Sequence, residues 1–138
     1  MKSRWLQLPD GTRILHQDFS GFGRDVAALR AEVEAADREI CSQPPDSVLA
    51  LADMTGTATP IEVVWLFKHS AAATRGYVRK QAVVGLNGVQ RVLVEAVARF
   101  SGEPMHVFDT PELAIAWLTG DEADGGLALV EERPKATA

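Results

Sequence analysis

The first twenty residues alternate between apolar and polar positions around a turn signal. Trp5-Leu6-Gln7-Leu8 and Thr12–His16 lie on either side of Pro9-Asp10-Gly11. The Asp-Gly pair supplies the positive φ that a tight hairpin turn requires. The pattern therefore predicts an N-terminal β-hairpin.

The apolar residues that follow recur every three or four positions, which is typical of a helix. The segment from about Arg24 to Ser42 has one apolar face and one charged face. Pro44-Pro45 ends it, because proline cannot donate the next helical hydrogen bond. Ser47–Ala52 is a short apolar run before Asp53, and it predicts a buried strand.

A helix-start signal follows this strand. Thr59-Pro60-Ile61-Glu62 matches a capping box, in which the threonine hydroxyl accepts an amide hydrogen bond and Glu62 reaches back to the cap amide. We expect this second helix to run to about Ala73. It is unusual because its first turns are apolar around the whole circumference, whereas a surface helix has a polar face. These apolar residues are Ile61, Val63, Val64, Trp65, Leu66 and Phe67.

Two further strand–helix pairs complete the pattern. The strand Gln81–Val84 is followed by the turn Gly85–Gly88 and by an amphipathic helix that Gly102 is placed to end. Met105–Phe108 predicts the last strand, and Asp109-Thr110-Pro111 caps a helix that runs through Leu118 and that Gly120 closes. The apolar stripe of the amphipathic helix consists of Val89, Val92, Leu93, Ala96, Val97 and Phe100.

The element order is therefore ββαβαβαβα. Strands separated by helices of this length imply parallel crossovers, which are right-handed almost without exception. The sequence predicts an α/β domain over residues 1–120, with a mixed sheet whose antiparallel edge is the N-terminal hairpin. The acidic, glycine-containing tail 121–138 is expected to be either disordered or an added edge strand.

Composition and charge narrow the function classes. A chain of 138 residues can bury a core without metal or disulfide staples. The single cysteine, Cys41, excludes an internal disulfide, and Met1–Gln7 lacks a secretory signal, so we expect a cytoplasmic protein. A net charge of −5 argues against nonspecific nucleic-acid binding. Residues 64–102 are mostly basic and would attract an anionic partner or lipid surface.

Three segments resemble a known family. The segments are the run Tyr77–Leu86, the helix that ends at Phe100-Ser101-Gly102, and Phe108–Glu112 with Ala116-Trp117-Leu118. They resemble the bacterial SpoIIAA-like family, which is grouped with STAS domains and with the CRAL-TRIO lipid-carrier fold. The resemblance is strongest over residues 77–118 and covers most of the chain. It implies a SpoIIAA-like, STAS-like fold and a non-catalytic regulatory or protein-interaction role like that of anti-sigma-factor antagonists.

One segment departs from the family pattern. Antagonists of this type have a strand that ends in Asp and then an Asp-Ser-Ser-Gly-like segment that a kinase phosphorylates. Asp53-Met54-Thr55 matches the strand end, but the residues after it contain no Asp-Ser-Ser-Gly. Thr57 or Thr59 would have to substitute as the phosphate acceptor. A phosphate there would gain from the helix N-terminus and lose from Glu62 and Asp53.

The apolar second helix is the main candidate site. Ordinary burial against the sheet, a neighbouring helix or a second subunit would explain its composition. The alternative is that the helix lines an apolar pocket, or that it is presented to a protein partner or, peripherally, to a membrane. The expected ligand is then an unidentified protein, a second copy of the chain, or a small apolar or lipid-like molecule. The candidate residues are Asp53, Thr55, Thr57, Thr59, Ile61, Val64, Trp65, Phe67 and Lys68.

Catalytic chemistry has less support. Asp53 and Asp109 follow strands, at the edge where α/β sheets bind ligands, and an enzyme would need both carboxyl groups in one cleft. The turn Gly85–Gly88 lacks the Gly-Lys-Ser/Thr of a phosphate-binding loop. The three histidines, His16, His69 and His106, have no metal-ligand spacing, and no nucleophile–base set is present. We therefore expect a protein that is not an enzyme and has no metal or cofactor.

Overall fold

A computed structural model describes residues 1–101 and 105–120. The predicted tail 121–138 and Gly102 lie outside these residues. The chain forms five strands and four helices in the predicted order. They are β1 (Arg4–Gln7), β2 (Arg13–Asp18), α1 (Val26–Cys41), β3 (Val48–Asp53), α2 (Ile61–Thr74), β4 (Val78–Val84), α3 (Gly88–Ser101), β5 (Met105–Val107) and α4 (Pro111–Thr119).

The N-terminal hairpin forms at the predicted turn. The amide of Leu8 donates to the carbonyl of Thr12 at 2.8 Å, and the amide of Gly11 donates to the carbonyl of Leu8 at 2.9 Å. Gly11 has a φ of 90°, which glycine adopts without steric cost. β1 therefore pairs antiparallel with β2 and is the edge of the sheet, as predicted.

The sheet has the order β1-β2-β3-β4-β5, and β2 to β5 are parallel. Each crossover joins neighbouring strands, and α1 packs beside α2 and α2 beside α3. α4 packs instead against β3 and β4. One apolar core joins Val33 and Leu66 of the first two helices to Ala52 of the sheet, and another joins Leu118 of α4 to Leu51. The predicted mixed α/β architecture is confirmed.

A bulge in β4 explains a buried lysine. Val78 pairs with Val48, but the next residue of β3, Leu49, pairs with Lys80, so Arg79 is an extra residue in β4. Lys80 is only 4% exposed. Its Nζ donates to the carbonyl of Trp117 at 2.9 Å, which is favourable because carbonyls at a helix C-terminus carry partial negative charge. The hydrogen bond from Lys80, whose position follows from the bulge, therefore links α4 to the sheet.

The predicted capping box of α2 is wrong, and the equivalent motif occurs at α3. α2 begins at Ile61 with Pro60 as its N-cap and no side-chain cap, because the carbonyl of Pro60 accepts the first helical hydrogen bonds and leaves Thr59 one residue too early. At α3, Oδ1 of Asn87 accepts from the amide of Gln90 at 2.9 Å, and Oε1 of Gln90 accepts from the amide of Asn87 at 3.0 Å. The predicted cap of α4 is confirmed, since the Thr110 hydroxyl oxygen accepts from the amide of Leu113.

Across residues 1–101 and 105–120, no helix combines the length and the apolar composition needed to cross a membrane.

Candidate functional site

Two loops at the carboxyl edge of the sheet are hydrogen-bonded to each other. The amide of Gly21 donates to the carbonyl of Thr55 at 2.8 Å, and the amide of Gly23 donates to the carbonyl of Gly56 at 2.9 Å. The amide of Ala58 donates back to the carbonyl of Gly23 at 2.8 Å. The loop after β2 and the loop after β3 therefore form one connected rim.

The predicted residues of this rim have local partners. Oδ1 of Asp53 accepts from the amide of Thr55 at 2.9 Å and from its hydroxyl at 2.7 Å, which closes an Asx-type turn. Thr57 is only 4% exposed. Its hydroxyl donates to the carbonyl of Phe19 and accepts from the amide of Phe22 at 3.1 Å. A kinase would have to open the rim to reach the Thr57 hydroxyl, whereas Thr55 is on the surface.

The two aspartates of the edge have separate partners. Asp109 forms an ion pair with Arg91 of α3 at 3.2 Å and is largely exposed, whereas Asp53 binds Thr55. Gly85, between them in the chain, has a φ of 84°, and a Cβ atom there would overlap the Thr55 hydroxyl and lie 2.5 Å from its amide nitrogen. The structure therefore shows close packing at this edge, with each carboxylate engaged by its own neighbour.

The apolar residues of α2 lie in three environments. Val63 and Leu66 are buried in the core. Ile61 and Trp65 are 63% and 50% exposed. Val64 and Phe67 lie between these extremes and line a pocket. Lys68 is also on the surface, with Nζ 4.9 Å from the centre of the Trp65 ring.

The pocket lies between α2, α3 and the sheet and has a volume of about 70 Å³. Its walls are mostly apolar, and Thr59 is one of the few polar residues at its margin. Ala52 of β3 and Ala71 of α2 both line it, and their short side chains leave space that larger residues would fill. Phe67 closes one side by packing its ring against Phe19, with 5.8 Å between ring centres.

A polar end adjoins these walls. Gln17 of β2 and Gln81 of β4 line the pocket, and Nε2 of Gln81 donates to Oε1 of Gln17 at 2.8 Å. Ser70 of α2 also lines it, and its hydroxyl donates to Oδ1 of Asp37 at 2.7 Å. Burial raises the pKa of Asp37 to about 6, although the Ser70 hydrogen bond acts in the opposite direction.

The apolar stripe of α3 is partly exposed beside this pocket. Val89, Val92 and Leu93 are 75%, 65% and 40% exposed. α3 instead directs Val94 toward the core, and Nε2 of Gln90 donates to the carbonyl of Thr57 at 3.1 Å. The hydrogen bond from Gln90 fixes the rotation of the helix and leaves part of its stripe on the surface.

Comparison with known proteins gives one informative match. No family model matches the chain, and no curated protein matches its sequence. A solved structure of an uncharacterized protein from the DUF3478 family, with a SpoIIAA-like fold, from Shewanella loihica PV-4, aligns with a TM-score of 0.55 over 84% of this chain and 91% of that chain. The identity is 17%. This chain has a SpoIIAA-like fold. The predicted resemblance is therefore confirmed at the level of the fold.

The SpoIIAA-like fold brings some predicted residues together and separates others. Thr59, Val64 and Phe67 meet at the pocket, whereas Ile61, Trp65 and Lys68 are on the outer surface. Asp53, Thr55 and Thr57 belong to the rim. The sequence analysis missed two polar residues that line the pocket, Gln17 and Gln81, and it missed Asp37, which accepts a hydrogen bond from the pocket residue Ser70. Among the described side chains, no three His, Cys, Asp or Glu residues could together hold a metal ion.

Proposed function

We propose that this domain is a non-catalytic binding module whose pocket accepts the apolar part of a small ligand. The observation that carries the proposal is the unfilled, largely apolar volume beneath α2. Protein interiors are close-packed, so a void of this kind is uncommon and its lining loses contacts that a ligand would restore.

The volume sets the size of the ligand. An apolar cavity of about 150 Å³ holds the six non-hydrogen atoms of benzene, so a pocket of about 70 Å³ would enclose roughly three non-hydrogen atoms of a ligand. A short aliphatic chain, or the end of a longer one, has this size. The exposed apolar residues of α3 lie beside the pocket, where they would contact the rest of a longer ligand.

Filling the pocket tests the proposal. Ala71→Leu adds three carbon atoms to the pocket wall, whereas Ala72→Leu makes the same change at an exposed position of the same helix. In a titration with 1-butanol followed by methyl NMR, the parent and Ala72→Leu should show saturable shifts at Val64 and Leu93. Ala71→Leu should weaken the binding by about tenfold or more, because the space is occupied.

Two results would overturn the proposal. Both require that the variants are folded, which circular dichroism establishes. Equal titration curves for folded Ala71→Leu and Ala72→Leu would mean that 1-butanol binds elsewhere, and no saturable shift in the parent would mean that the pocket binds no aliphatic chain.

A second candidate function is contact with a protein partner through α2. The exposure of Ile61 and Trp65 favours it, because large apolar side chains on a helix surface mark interaction sites when they are clustered. The regulatory role that the SpoIIAA-like resemblance implies would use this surface, with another protein or with a second copy of the chain.

Matched surface variants test this second candidate. Ile61→Ser with Trp65→Ser should abolish self-association in sedimentation experiments, or retention of one defined co-purifying protein. Leu113→Ser, on α4 and 54% exposed, should change neither. An unchanged complex in the folded double variant would exclude α2 as the contact surface.

A further inference from the structure

The two glutamines of the pocket meet across the central strand. Gln17 of β2 is paired with Ala52 of β3, and Gln81 of β4 is paired with Ala50 of β3. Because the β3 side chains between them are only methyl groups, the two long side chains can reach each other over the sheet. Gln17 is 4% exposed, so its amide is out of reach of bulk water.

The hydrogen bonds fix the orientation of both amides. Nε2 of Gln81 faces three acceptors, Oε1 of Gln17 at 2.8 Å and the carbonyls of Ala82 at 3.0 Å and Ala50 at 3.4 Å. An oxygen in this position would face three other oxygens, so the nitrogen must be there. The oxygen of Gln17 then faces Gln81, and its Nε2 is turned away from that bond.

Two polar atoms consequently lack a protein partner. Within residues 1–101 and 105–120, Nε2 of Gln17 has no hydrogen-bond acceptor and Oε1 of Gln81 has no donor. Gln17 is buried, and buried polar groups in native proteins are nearly always hydrogen-bonded, so its Nε2 calls for an unseen partner. Gln81 is half-buried, and its Oε1 lies beside that donor. Nε2 of Gln17 can donate a hydrogen bond and Oε1 of Gln81 can accept one. A single ligand group that both accepts and donates, such as a hydroxyl, would therefore satisfy both atoms.

From this geometry we infer that the pocket recognises the polar end of its ligand through Gln17 and Gln81, and that this end is an uncharged hydroxyl or carboxamide. The inference rests on the proposed function. The described residues that line the pocket include no Lys, Arg or His to offset the charge of a carboxylate, and Asp37 lies behind Ser70. An ammonium group would have no acceptor for most of its protons and would leave Nε2 of Gln17 unsatisfied.

Two isomers provide a matched pair of probes. 1-Butanol and methyl propyl ether have the same atoms, but only the alcohol can donate a hydrogen bond. We expect the alcohol to bind about five- to tenfold more tightly, which corresponds to one additional hydrogen bond, and butyrate at pH 8 to bind most weakly. The side-chain amide resonances of Gln17 should shift with the alcohol.

Substitution of the donor tests the residue assignment. Gln17→Leu should weaken the binding of both isomers by about five- to tenfold and leave the preference for the alcohol unchanged, because the oxygen of either isomer accepts from Nε2 of Gln17 whereas only the alcohol donates to Oε1 of Gln81. Gln17→Met serves the same purpose if the leucine variant does not fold. Gln7→Leu, at an exposed position of β1, should keep the parent affinity for both isomers.

The outcomes separate this inference from the proposed function. If both isomers bind the parent equally, or if folded Gln17→Leu binds both with the parent affinity, only water satisfies the amides and the recognition of a polar end is wrong, while the apolar pocket stands. If neither isomer gives a saturable shift, both proposals are wrong.

Discussion

Asp37 is a residue whose ionisation is strongly affected by the fold. It lies on α1, and burial raises its pKa from 3.8 to about 6, while Glu34 acts in the same direction and the Ser70 hydrogen bond against it. The folded state therefore holds this proton more tightly than the unfolded state. The stabilisation from Asp37 is complete below about pH 4 and is lost as the pH rises through 6.

We predict that Asp37→Asn is more stable than the parent above pH 7. Asparagine keeps an oxygen for Ser70 and removes the buried charge, so the gain should be on the order of 1–2 kcal/mol at pH 8 and about a third of that at pH 4.5. Urea denaturation of both proteins at the two pH values measures the difference. A constant difference between the two proteins at both pH values would contradict the raised pKa of Asp37.

Gly85 stands at a position where the structure leaves no space for a side chain. Its positive φ and its approach to Thr55 both oppose a Cβ atom. We predict that Gly85→Ala lowers the free energy of unfolding by about 2–4 kcal/mol, from the backbone conformation together with the steric overlap. Gly88→Ala is the control, because a Cβ there meets nothing within 4 Å and the backbone is helical. Chemical denaturation should give similar values for Gly88→Ala and the parent.

Residue-scale chemistry was the hardest part to predict from the sequence. Nothing in the pattern around Gln17 or Gln81 distinguishes a pocket amide from a surface amide, because their meeting depends on the register of three strands and on the alanines of β3. The pKa of Asp37 likewise depends on Ser70, 33 positions away in the chain.

At the scale of elements, the two helix starts show how a motif competes with its context. Thr59–Glu62 and Asn87–Gln90 both have a polar cap residue and a suitable partner three positions later. Only the second forms, because Pro60 becomes the N-cap of α2 and leaves Thr59 outside the helix. The sequence pattern predicted that a helix would begin after Thr59, but it could not decide which residue would cap it.

This difference is measurable. We predict that Asn87→Ala costs about 1 kcal/mol of stability, the usual value for loss of an N-cap, and that Thr59→Ala costs less than about 0.5 kcal/mol. Thermal or urea denaturation of the two variants decides between them. A larger loss of stability for Thr59→Ala than for Asn87→Ala would mean that Thr59 does cap α2.

At the scale of the whole molecule, the sequence was most informative. The hairpin turn, the three crossovers and the order of the elements follow from local periodicity together with the handedness of parallel connections. The buried Lys80 and the exposed stripe of α3 could not be predicted in this way. Each depends on a contact that only the assembled sheet provides, the bulge at Arg79 and the hydrogen bond from Gln90 to Thr57.

The connected rim has a kinetic consequence. Because the loops after β2 and β3 share three backbone hydrogen bonds, neither can swing aside without breaking bonds of the other. A ligand that entered past that edge would therefore have to open both loops together. If a ligand follows that route, its on-rate should be set by the joint opening of the two loops and not by the movement of either loop alone.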